Sequence, residues 1–306
     1  MTKVKSIVRP VVKEFQMNNC GFDHHSADDF VKSQWQTRTK SFIFLLYRCF
    51  IAAFYLAVVI YSMIDGFSNG LYFIYLTNWG IMLCMVTTML GAILVCTWYL
   101  HPEFADRVKD SNEMPIPFKI YWGMHVITLI LSMGITIIYW SVLYNDLVQV
   151  TAVNILTHAF NSVLMFVDLW IVAYPVRLLH MFLPVCFGLV YAIFSVIYYA
   201  AGGVDPAGKH YIYPILDWDY PGKAILTVIG VILLCCALYI FIFYVYKLRV
   251  FIHRRYNRKQ VFEPSQCAGR PSSTPVTLPS NRISMVLGDY GHDHLAFTNS
   301  SEKIVS

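Results

Sequence analysis

The stretch QVTAVNILTHAFNSVLMFVDLWIVAYPVRLLH, residues 149–180, decides the fold. It is long and apolar enough to cross a bilayer as a helix, yet it carries His158 and Asp168 within the apolar run. At steps of three and four, Thr151, Asn154, His158, Asn161, Met165 and Asp168 fall on one stripe, so one face is polar along its length. Ionisable groups are expensive in hydrocarbon. That face is expected to look into a bundle, where such residues act as functional groups or as hydrogen-bonding partners in packing.

The rest of the chain agrees with a membrane setting. With 57% hydrophobic and 13% charged residues over 306 positions, there is too little charged surface for a water-soluble globule. The first 40 residues are polar and show no short apolar core with a cleavage site, so no removable signal peptide is expected and the first span serves as the targeting signal. Apolar runs long enough to cross about 30 Å of hydrocarbon lie at 41–64, 72–99, 118–143, 151–174, 178–201 and 224–247. The expected fold class is all-α, a polytopic bundle of six transmembrane helices. Three parts follow: a basic arm over 1–40, read as a solvated cytoplasmic tail; a membrane domain over 41–247; and a largely disordered cytoplasmic tail over 248–306.

Lys and Arg are retained on the cytoplasmic side of a membrane. Seven lie in the amino-terminal segment, three in the 100–119 connection, one at 175–177 and nine from Lys247 onward, against two in the remaining connections. Both termini are therefore predicted cytoplasmic, and the sequon at Asn299 to Ser301 unmodified. The net charge of +5 reflects this orientation rather than nucleic-acid binding. The basic segment KLRVFIHRRYNRK after the sixth span suits attraction to anionic inner-leaflet lipids. Six of the eight cysteines lie in apolar stretches and no CxxC pair occurs, so neither a disulfide framework nor a metal site is expected. Walker, GxSxG and HExxH motifs are absent, and no cofactor is implied.

This topology sets side chains at depths. Arg48 and Asp168 each fall six or seven residues from the inner face, where they can form a structural ion pair that lowers the cost of both charges. His125 enters at a similar depth as a hydrogen-bonded core histidine, and a transporter or channel would use this inner cluster. In the outer half lie Thr77 and His158. Thr77 heads a run of small residues, Gly80, Cys84, Thr87 and Gly91, that lets a neighbouring helix approach. Two readings stand: Thr77 packs, or His158 acts as general base on the Thr77 hydroxyl toward a lipid ester, with Asn154 or Asn161 orienting the imidazole. The connection GGVDPAGKHYIYPILDWDYPG, 202–222, mixes turn formers with interfacial aromatics and is expected to fold back as a lid, bringing Tyr213 and Asp217.

Four stretches together carry a resemblance: FVKSQW at Phe30 to Trp35, YLTNWG at Tyr75 to Gly80, LTHAFNS at Leu156 to Ser162 and YPILDWDYPG at Tyr213 to Gly222. Over residues 20–250 the chain resembles the rolling stone family of insects. The resemblance implies a plasma-membrane protein acting in myoblast fusion during muscle development, with fusion-machinery proteins as partners besides the bilayer itself. More distantly, the chain resembles the androgen-induced membrane hydrolases. That likeness implies cleavage of fatty acid esters of hydroxy fatty acids by Thr77 and His158. It departs at Thr157, where the family pattern has Asn, and at Asn161 and Ser162, which replace a His-Thr pair.

Overall fold

The computed structural model describes residues 14–16, 19–111, 113–144 and 150–262. The basic residues Lys3 to Lys13, the sequon and the tail from residue 263 lie outside the described residues. Six helices are long and apolar enough to cross a membrane: α1 (Phe42–Gly66), α2 (Leu76–Leu100), α4 (Ile116–Leu143), α5 (Ala152–Ile171), α6 (Leu178–Ala200) and α7, which runs over Pro221–Phe262. A short amphipathic helix, α3 (Pro102–Asp110), joins α2 to α4. By contact density the chain divides into a unit ending at Gln260 and a second from Val261.

Local chemistry sets the boundaries. Ser41 caps α1 by accepting the Phe44 amide, and Thr151 caps α5 by accepting the Asn154 amide. The second span begins at Leu76, four residues later than its apolar run, because Gly70 turns the chain at φ +87° and Ser68–Ile74 forms a tighter 3-10 stretch. Proline at the first turn starts α4, as Pro221 starts α7. The fourth span stops at Ile171 rather than Tyr174. Pro175 biases its predecessor toward extended backbone, and Val172 instead pairs with Ser33 in the one β-bridge among the described residues. The α7 helix continues well past the membrane domain expected to end at 247.

Within the first unit α1 lies against α2, α2 against α4, and α4 against both α5 and α6. Small residues set these approaches. A methyl group added at Gly80 would come within 2.6 Å of Ile135, and one at Gly91 would collide with the Arg48 guanidinium and lie 2.8 Å from Tyr121. Buried hydroxyls of Thr87, Thr88, Thr128 and Ser132 return to carbonyls of their own helices, which satisfies them without a partner helix.

Residues 19–40 depart from the solvated arm expected of them. They form a strap across the end of the bundle where α1 starts. Phe30 is 2% exposed and stacks on Tyr174 at 4.9 Å, with its edge toward Trp122. The carbonyls of Gly21 and Asp23 accept from Arg177, Ser33 donates to the Ile171 carbonyl at 2.9 Å, and the Trp35 indole donates to the Trp170 carbonyl at 2.7 Å. The physical reason is the end of α5: its last carbonyls have no partner within the helix, and the strap supplies donors.

Candidate functional site

Two polar clusters lie along α5. At the strap end, Asp168 is fully buried, and each of its oxygens is engaged. One accepts from Arg48 at 2.7 Å and from the Tyr47 hydroxyl at 2.8 Å, while the other lies 2.8 Å from His125 Nε2. Arg48 turns its second amino group to the Tyr121 hydroxyl at 2.6 Å, and Tyr121 reaches Tyr174 at 3.2 Å. The structure thus brings Arg48 and Asp168 together and adds three tyrosines. The buried guanidinium and carboxylate are joined in one hydrogen-bonded network, in which each charge is compensated by the other and by neighbouring hydroxyls.

Arg249 was missed by sequence reasoning. It sits within the basic segment read as attracted to lipid head groups, yet it is 0% exposed and donates to the carbonyls of Leu169 and Tyr174. It therefore helps to close the carboxyl end of α5, together with the strap.

At the other end of α5 the helix loosens into a π turn over Leu156–Phe160 that holds His158, and α4 ends in a facing π turn over Tyr139–Leu143. The His158 and Tyr139 rings stack face to face at 3.5 Å and 2°. Thr136 donates its hydroxyl to the His158 carbonyl within this turn. His158 is 9% exposed, and its Nδ1 has no hydrogen-bond partner among the described residues.

Thr77 stands in the first turn of α2. The 201–220 connection brings the Tyr213 phenol beside Thr77 and Leu76. Burial pushes the Tyr213 phenol above its usual pKa, and the polar groups of Thr77 and Leu76 nearby draw it partly back. Among the described residues no hydrogen bond joins Thr77 to His158. Both instead line one cavity of about 550 Å³, together with Asp65, Asn154, Tyr72 and Tyr213. Its neighbour is an apolar pocket of about 100 Å³ between α4, α6 and α7. Thr77, Tyr139, Leu143, Tyr213 and Ile215 line both.

Two expected helpers point elsewhere. Asn161 is wholly buried and accepts from the Tyr55 hydroxyl at 3.1 Å and from Cys84 at 3.5 Å, so it does not orient the imidazole. Asp217 accepts the Asp219 amide at 3.0 Å within its own turn and lines neither cavity, so of the expected lid only Tyr213 reaches the site. His24, His25 and Asp29 form a group with donor atoms within 4.8 Å of one another. Its carboxylate is held by Lys32 at 2.6 Å and by His24 at 2.8 Å, and an ammonium so close opposes a bound cation.

The sequence model of the family described as protein rolling stone matches residues 1–267. The chain belongs to the rolling stone family. Protein rolling stone of Drosophila melanogaster is 36% identical over 252 residues, which cover 80% of this chain and 92% of that relative. No solved structure matches this chain. As a rolling stone family member with six spanning helices, it is a multi-pass membrane protein. The matched residues take in the strap, both clusters of α5 and both cavities, so every feature described lies within the rolling stone match.

Proposed function

We propose that this chain is a plasma-membrane protein that acts in cell fusion during muscle development, with both termini in the cytoplasm. Family membership across residues 1–267 carries this reading, since the rolling stone resemblance is what implies fusion. The test is silencing in cultured myoblasts with re-expression of a resistant copy. Multinucleate cells should fall on silencing and return with the wild type, and unchanged fusion in silenced cells would overturn the role. Epitope tags at either end should stain only after permeabilisation, and Asn299 should carry no glycan.

A second reading rests on the cavity shared by Thr77 and His158. In it His158 takes the proton of the Thr77 hydroxyl, the oxygen attacks a lipid ester carbonyl, and the alcohol leaves with that proton. Water then cleaves the acyl-threonine. A fluorophosphonate that labels the wild type but neither Thr77→Ala nor His158→Ala would support hydrolysis. No labelling of folded protein would leave His158 as a packing residue.

A further inference from the structure

The cavity around His158 has a charge pattern that neither reading uses. Among the described residues Asp65, at the end of α1, is the one carboxylate lining it, and none of the described Lys or Arg lines it. Asp65 is exposed and makes no ion pair among the described residues. Four tyrosines, Tyr72, Tyr75, Tyr139 and Tyr213, complete the wall. An acid beside aromatic rings attracts a cation through both charge and ring quadrupole, and it repels a carboxylate or phosphate that finds no basic side chain.

The polar cavity adjoins the apolar pocket, with Thr77, Tyr139 and Tyr213 lining both. That pocket is walled by aliphatic side chains of Ile135, Ile138, Val231 and Ile232, and it has room at Gly188, where an added methyl group would meet nothing within 4 Å. A polar chamber beside an aliphatic one within a membrane helix bundle matches one molecule with two unlike ends. His158 adds an independent sign of an occupant, because its unpartnered Nδ1 is a buried polar atom on the wall of the chamber.

We propose that these adjoining cavities together bind a single-chain amphiphile with a cationic head, a long-chain amine, its ammonium between Asp65 and the tyrosines and its proximal methylenes passing the shared wall into the pocket beside Gly188. The site needs no nucleophile, so it stands or falls separately from hydrolysis at Thr77 and from the fusion role.

The experiment reconstitutes the full chain in phosphatidylcholine vesicles with two photoactivatable probes, octadecylamine and stearic acid bearing the same diazirine. The amine should label peptides around Tyr72 to Asn78 and Tyr139 to Leu143, and excess unlabelled octadecylamine should suppress this where stearate does not. Asp65→Asn should lower labelling about three- to tenfold, the weight of one partly screened charge and a cation–π contact. Gly188→Leu, which fills the pocket in open space, should lower it by a similar factor without loss of thermal stability. Equal labelling of those peptides by stearic acid, or labelling unchanged in both variants, would overturn the proposal and leave the cavities to bulk lipid.

Discussion

Asp168 and His158 lie ten residues apart on α5, about 15 Å along its axis, and face inward from the same helix. Around Asp168 both carboxylate oxygens have partners, the backbone is regular α-helix, and strap and α7 seal the end from two sides. Around His158 the backbone is a π turn, a ring nitrogen is left without a partner, and a cavity adjoins it. One helix therefore carries a sealed end and an open end. Full satisfaction rigidifies a buried network, whereas unfilled polar space with a loosened backbone is the usual setting for binding.

The sharpest way to break this contrast is to empty the sealed end. Asp168→Ala leaves Arg48 charged and buried and should cost about 3–5 kcal/mol in detergent unfolding. The double variant Arg48→Met with Asp168→Leu should be more stable than either single change, since both charges go together. Next, Gly91→Ala drives a methyl into Arg48 and Tyr121 and should cost about 1–3 kcal/mol by the same measurement. Ser33→Ala removes the bond to the Ile171 carbonyl and the acceptor of the exposed Trp35 amide, and should cost about 0.5–1.5 kcal/mol, with faster proteolysis of residues 19–40 as a second readout. Least affected should be the open end: His158→Phe keeps a ring against Tyr139 and removes the orphan nitrogen, so stability should stay within about 1 kcal/mol of wild type. A large loss there would mean that the open end is structural too.

The six spans were legible because length and hydrophobicity alone limit what can cross a bilayer, and the Arg48–Asp168 encounter was legible because depth is set by distance along two helices. The strap was not. Its burial depends on backbone donors and a few aromatics, Phe22 and Phe30 among charged neighbours, which read as a tail. Arg249 was hidden because a run of basic residues gives no sign of which one turns inward. The partner of Asn161 was misjudged: the π turn before it inserts extra backbone, and simple steps of three and four do not count that residue. For Thr77, the sequence placed a hydroxyl and an imidazole in the same half of the membrane, but Tyr213 reaches the cavity wall beside them from a loop 136 positions away.

The Arg48–Asp168 bond also has a history. Its partners are 120 residues apart, and at about 5–20 residues per second a ribosome needs about 6–24 s to make the second after the first. Through that interval α1 resides in the membrane with an arginine that has no acid to meet, and only its long stem, reaching toward the nearer surface, keeps the charge in water. Arrival of the fourth span withdraws it. Biogenesis of this chain thus contains a defined waiting step, and a nascent chain halted short of Asp168 would carry the signature of an unassembled subunit.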